Sequence, residues 1–394
     1  VESRDAPNRV LFGPHVTNLG DGRALSPRHV AYYERRARGG AGTIVVEEAS
    51  VHDSDWPYER SPLAAECGPG WSSVVEACRP HGSLVFAALG HAGGQGTSHW
   101  SQRPLWAPSD EPEVNTREVP KVMEAGDIAA VIDGFGRAAA LAVEAGCDGV
   151  EINAGQHSLV RQFISGLTNR RDDDYGADRL RFAREVLTVV REAAGDAVVS
   201  LRLSCDELAP WAGLTPELAA DVAKELVGYV DQLVVVKGSI FTVPDTRPDT
   251  HTLAGFNLDL AGSIRRAIEA VVPVVVQGSI VDVGQAEWAL GDERCDLVEM
   301  TRAQIADAEL VAKAASDPSR IRPCVRCNQL CQVRDNRNPI VSCIVDPRSG
   351  HELDDPDPEQ PATAPGDVLV VGGGPAGMET ARVAATCGHR VRLV

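Results

Sequence analysis

The chain has 394 residues, 43% apolar and only 5% aromatic, with a formal charge of −18 at pH 7. That length holds one large domain and smaller pieces, and the acidity excludes a nucleic-acid or anionic-membrane partner, because such a surface repels phosphate. No apolar run approaches the ~20 residues that cross a bilayer and no signal-peptide pattern opens the chain, so the expected location is the cytoplasm.

From about residue 8 to 318, short β-rich apolar runs alternate with amphipathic stretches. The runs are "RVLFG", "TIVVEE", "LVFAAL", "DGVEIN", "VVSLRL", "QLVVV", "PVVVQG" and "DLVEM". Helix-like segments cover 126–146, 178–194, 215–229, 258–270, 282–291 and 305–316. Continuous Val/Ile/Leu runs suit parallel strands covered on both faces. Eight strand–helix units predict an α/β fold, a (β/α)8 TIM barrel over 1–318, with its chemistry in the loops after the strands. A doubly wound sheet is the alternative.

Residues 319–350 carry Cys324, Cys327, Cys331 and Cys343, spaced C-x2-C-x3-C-x11-C. Three thiolates from one tight loop plus a fourth from a nearby segment suit the corners of a 4Fe–4S cubane. Zinc is the competing reading, but zinc sites usually pair two C-x2-C knuckles. The other cysteines, Cys67, Cys78, Cys147, Cys205, Cys295 and Cys387, are scattered singly, as buried small hydrophobes are, which fits a reducing compartment. The Pro- and Asp-rich stretch 351–366 reads as a linker. Residues 367–394 read as the truncated start of a Rossmann-like domain. There Gly372, Gly374 and Gly377 form the G-x-G-x-x-G turn between an apolar strand and a helix, the context that dinucleotide binding requires. The chain starts at Val1 rather than Met and stops inside what reads as a second strand, so it is expected to be part of a longer polypeptide.

The blocks "NRVLFGPHVTN", "GVEINAGQHSLVRQFISGLTNRRDDDYG", "GLTPELA", "DLVEMTRAQIADAELVAKA", "IRPCVRCNQLC" and "VVGGGPAGMETARVAA" run nearly end to end. Through them the chain resembles the iron–sulfur flavoenzymes of the old yellow enzyme class, the group containing bacterial 2,4-dienoyl-CoA reductase and trimethylamine dehydrogenase. The resemblance implies FMN in the barrel, a 4Fe–4S cluster beside it, and FAD with NAD(P)H in later domains. It also suggests a homologue associated with mycofactocin, a peptide-derived redox cofactor. Carried over by position, Pro14, His15, Val16 and Thr17 lie against the flavin. Arg202 approaches its pyrimidine edge, where a guanidinium stabilises charge developing on reduction; a structural ion pair is the bland alternative. Gly278, Thr301 and Arg302 match the phosphate site. Glu48 stands where the family places a small or aromatic residue and faces either flavin or solvent.

Departures from the family pattern bear on mechanism. Val16 replaces a cysteine that tethers FMN in trimethylamine dehydrogenase, and Ala88 replaces a common glutamine. In the substrate loop, Asn153 and Gln156 take the paired positions usually held by His-x-x-His or His-x-x-Asn, and Ser158 stands where relatives carry a tyrosine proton donor. Asn and Gln bond a carbonyl but do not readily supply a proton. His157 sits one position off the pattern, and His251 lies in the loop where reductase relatives place a catalytic histidine; a backbone-bonded loop residue and a flexible lid are their respective alternatives.

The leading expectation is an enzyme of the NADH:flavin oxidoreductase type. NAD(P)H electrons pass from FAD through the cluster to FMN and reduce an activated C=C of a small molecule or thioester. The alternatives are an amine dehydrogenase or demethylase running electrons outward from FMN, and an electron-transfer partner of another redox cofactor. A redox partner and a homo-oligomer stay open.

Overall fold

The computed structural model describes residues 5–332, 339–355 and 360–394, and the chain divides into two compact units at Gly350 and His351. In the first unit eight parallel strands close into a barrel. They are β1 (Val10–Phe12), β2 (Thr43–Ser50), β3 (Leu84–Gly90), β4 (Gly149–Ala154), β5 (Val198–Ser204), β6 (Gln232–Val236), β7 (Val274–Gln277) and β8 (Leu297–Glu299). Each pairs with the next, and β8 returns to β1 with Val10 opposite Val298. Ring closure excludes the doubly wound alternative.

The helices of this unit are α1 (Pro27–Arg38), α2 (Ala64–Cys78), α3 (Ala125–Glu144), α4 (Leu159–Ile164), α5 (Arg181–Ala194), α6 (Pro216–Leu226), α7 (Leu258–Ala267), α8 (Val283–Gly291), α9 (Thr301–Ala306) and α10 (Leu310–Ser316), with a few single turns besides. The expected helix over 305–316 is therefore two helices. Asp307 breaks it: its carboxylate is buried and accepts from Glu309 N, Arg322 N and Lys313 Nζ, bonds that a continuous helix would not allow.

Strand alternation sorts the core. Ile44, Val46, Val150, Ile152, Val199 and Leu201 point outward to the helices, whereas Val45, Phe86 and Ala88 pack together inside the barrel, as do Leu11, Val234, Val236 and Val275. The register of β2 against β3 shifts between Val46 and Ala49. Both of those residues belong to the outer core, although three positions apart they would face opposite ways in a regular strand. The irregularity absorbs one residue, and Glu47 and Glu48 both leave the outer face.

The second unit holds β9 (Asp367–Val370), α11 (Pro375–Thr386) and β10 (Arg390–Leu393), with the strands parallel. Gly372 has φ +106°, and a Cβ on Gly377 would lie 1.8 Å from Gly372 O, so both positions of the turn require glycine. Among the described residues no helix is long and apolar enough to cross a membrane.

Candidate active site at the barrel mouth

The C-terminal ends of the strands carry the polar side chains. Arg202 on β5 is buried between two carboxylates, with Nε 2.7 Å from Glu151 and Nη2 2.6 Å from Glu299. Burial works against the guanidinium's charge, but the two glutamates more than compensate and hold it protonated. Arg202 is thus both an ion-pair member and a fixed cation at the mouth. Burial pushes Glu151 up, against the pull of Arg202.

Between β7 and β8 a cavity is lined by Gln277, Gly278, Ser279, Ile280, Val281, Glu299, Thr301 and Arg302. Gly278 has no room for a side chain, because a Cβ would lie 2.7 Å from that of Asn257. Ser279 adopts φ +57°, the kind of left-handed turn that forms anion-binding concavities. Arg302 donates to Ser279 Oγ from one side and to Asn328 Oδ1 at 2.6 Å from the other. Two acceptors here, Gln277 Oε1 and Asn257 Oδ1, are buried without a hydrogen-bond partner among the described residues. Thr301 is engaged, accepting from Gly13 N at 2.9 Å and bonding Glu299 at 3.1 Å.

After β1 the four expected residues divide. Thr17 is fully buried and turns to Glu47, donating through both backbone N and Oγ1. The His15 ring is held by Gly13 O and Tyr32 Oη, each at 2.9 Å, and burial lowers its pKa. Pro14 and Val16 are part-buried. Beneath this loop Glu47 also bonds His29 Nε2 at 2.8 Å and Tyr58 Oη at 2.9 Å. Burial alone would raise its carboxyl, yet the bonds from His29 and Thr17 hold it below the usual value.

Sequence reasoning left Glu48 between two orientations. The structure turns it to the mouth, with Oε2 2.5 Å from Asn153 Nδ2. A Cβ on Gly90 would lie 2.3 Å from its carboxyl carbon, so the absent side chain on β3 makes its seat. Burial, with Asp55 next, pushes the Glu48 pKa up to about 8. Asn153 Oδ1 accepts from Gly155 N at 2.8 Å, which fixes the amide's orientation.

The rest of the substrate loop is committed elsewhere. Gln156 Nε2 reaches backbone oxygens of Lys237 at 3.2 Å and Thr246 at 3.5 Å. Ser158 caps α4, accepting from Val160 N and donating to Asn153 O, so the position of the missing tyrosine is structural. His157 Nε2 is buried without a hydrogen-bond partner among the described residues. Burial, aided by Arg247 and Arg161, lowers that ring to about 3, so the imidazole is neutral. The His251 side chain is 89% exposed and its Nδ1 sits 2.8 Å from Asp249 of the same loop.

The four clustered cysteines are all part-buried. They are electrostatic neighbours: burial pushes Cys331 up to about 11 against the pull of Arg302, and Cys324, Cys343 and Cys327 act on the same thiol. Arg326 N donates to Cys324 Sγ and Val345 N to Cys343 Sγ, each at 3.4 Å. Arg326 and Asn328 both take left-handed φ, which winds the loop tightly. Ser342 N bonds Leu330 O and Val341 N bonds Thr17 O, tying the fourth cysteine's segment to the loop and to the mouth. Among the described residues, no group of three His, Cys, Asp or Glu side chains is drawn together as for a single metal ion.

A closed parallel barrel with polar side chains gathered at the C-terminal ends of its strands is an enzyme architecture that serves many chemistries. A family model described as "NADH:flavin oxidoreductase / NADH oxidase family" matches residues 2–319, and the chain belongs to that family. It is 34% identical over 393 residues to a metal reductase of Desulforamulus reducens. It is 35% identical over 412 residues to an N,N-dimethylglycine/sarcosine dehydrogenase of Chromohalobacter salexigens. Each match covers 98% of this chain and 58% of the relative, so the chain spans a little over half their length. A 2-naphthoyl-CoA reductase complex superposes with a TM-score of 0.91 at 27% identity, covering 98% of this chain and 62% of that one.

Proposed function

We propose that this chain forms the catalytic barrel of an FMN-dependent oxidoreductase that reduces an activated carbon–carbon double bond, in a small molecule or thioester, with electrons drawn from NAD(P)H. One observation carries the reading: the anion cradle with Arg302, the clamped Arg202 and the amide of Asn153 stand together at one end of a closed barrel. Arg302, Ser279 and Gly278 would hold the FMN phosphate, and the partnerless Gln277 Oε1 suits a hydroxyl of its ribityl chain. Arg202 would face the pyrimidine edge, with Pro14 and Val16 as wall. Bound FMN supplies hydride chemistry, and Asn153 is placed to orient a carbonyl through its amide.

Cys324, Cys327, Cys331 and Cys343 would hold a 4Fe–4S cluster, whose chemistry is one-electron passage. Gly372, Gly374 and Gly377 shape a turn suited to a dinucleotide pyrophosphate, consistent with FAD and NAD(P)H. The name of the naphthoyl-CoA relative supports the reductive direction.

A second reading, oxidation of an N-methyl amine, is favoured by Glu48, a carboxyl at the mouth with no ion-pair partner among the described residues, and by the name of the Chromohalobacter relative. The test uses anaerobically purified protein. Bleaching with dithionite followed by re-oxidation with cyclohex-2-enone is expected; bleaching of the oxidised flavin by dimethylglycine, with no response to the enone, overturns the reductive reading in favour of the second. Iron and acid-labile sulfide should accompany the flavin, and zinc alone would remove the cluster from the scheme.

A further inference from the structure

Counting charge at the barrel mouth leaves Glu48 without a counter-ion among the described residues. The carboxyls of Glu48, Asp55, Glu151 and Glu299 stand around one guanidinium, that of Arg202. The guanidinium is taken up by Glu151 at 2.7 Å and Glu299 at 2.6 Å. Glu48 keeps a hydrogen bond from Asn153 at 2.5 Å. The groups that face it are Asp55 and Tyr58 from the loop after β2, Glu151 from β4 and Arg202 from β5, while β3 offers only Gly90. Tyr58 Oη is bonded to Glu47. Four carboxyls around one committed guanidinium make the ionised form of Glu48 costly, because it is shielded from water and Asp55 and Glu151 repel its charge.

The same carboxyl is the acid best placed for substrate. It is fixed between the bare backbone of Gly90 and the amide that would orient a carbonyl. The other candidates are otherwise engaged: Ser158 caps α4, His157 is neutral, and His251 lies on the surface.

We propose that Glu48 is the proton donor of this site and fills the role that a tyrosine holds in relatives. The inference rests on the reductive reading above. Bound reduced flavin would supply the hydride for the β carbon, and Glu48 would give its proton to the α carbon as the π bond of the activated alkene opens. Two C–H bonds would form, the two electrons coming from the flavin, and Glu48 would be left as a carboxylate that regains a proton from water at the mouth. A carboxylic acid kept neutral near pH 7 by its surroundings is an established device, and the upward shift of Glu48 to about 8 agrees with it.

The test follows re-oxidation of dithionite-reduced flavin by 2-methylcyclohex-2-enone, whose α carbon becomes a stereocentre on protonation. In the wild type the rate should fall as pH rises through about 8, and one enantiomer should form. E48Q should slow the step by roughly 10²–10⁴-fold, and its residual product should approach a racemate. E48D, which keeps an acid at the site, should be slower than wild type yet retain the handedness, and it carries the test if E48Q fails to hold flavin. An E48Q or E48D outcome opposite to these, at wild-type rate with handedness intact or with E48D racemic, overturns Glu48 as donor and leaves the reductive reading standing. A wild-type flavin that no activated alkene re-oxidises overturns both.

Discussion

Glu47 and Glu48 are adjacent on one strand and end in opposite electrostatic worlds. Glu47 lies beneath the mouth in a closed network, accepting from Thr17, His29 and Tyr58, and stays ionised. Glu48 rises into the mouth with one amide donor and carboxylates for company, and binds its proton tightly. Side-chain chemistry is the same in both, so the difference comes from what the β2 irregularity turns each one toward. A carboxylate ringed by donors serves structure; one seated against bare backbone is available to a ligand.

Removing Glu47 should break the comparison hardest. E47A strands His29, Thr17 and Tyr58 without their acceptor and should cost about 3–5 kcal/mol in urea unfolding, as loss of one buried partner does. Because the folded pKa of Glu47 lies below its unfolded value, its stabilisation is present above about 4.5 and fades as pH falls through the folded value. That acid-side loss should be smaller in E47A.

Y58F takes one charged hydrogen bond from the same network and should cost about 1.5–3 kcal/mol, measured the same way. E48Q should have the contrary sign. Glu48 binds its proton more tightly folded than unfolded, so the wild type loses stability as pH rises from about 4.5 to about 8. At pH 9 E48Q should therefore be more stable than wild type by about 1–2 kcal/mol, after allowing for contact with water at the mouth, with little difference near pH 4. H251A, at an exposed site, should change stability by less than about 0.5 kcal/mol and leave the enone rate within about twofold; a larger drop would restore that histidine to the mechanism.

Much of the barrel was legible in the sequence because its strands are continuous Val/Ile/Leu runs that only a parallel, doubly covered sheet accommodates. Gly278, Thr301 and Arg302 were legible through the family resemblance, and the three line one cavity between β7 and β8. The orientation of Glu48 was not, since it depends on a register shift against β3 that no local pattern encodes. The same holds for Ser158. Its lost tyrosine was visible as a departure, but its role as the cap of α4 needed the loop's path. For His251 the resemblance named a loop, and the direction its side chain faces there needed the loop's path.

Arg302 bonds Ser279 in the anion cradle and Asn328 in the cysteine loop. One planar side chain therefore ties the turn after β7 to the cysteine loop, so a substitution at Arg302 is felt in both segments at once.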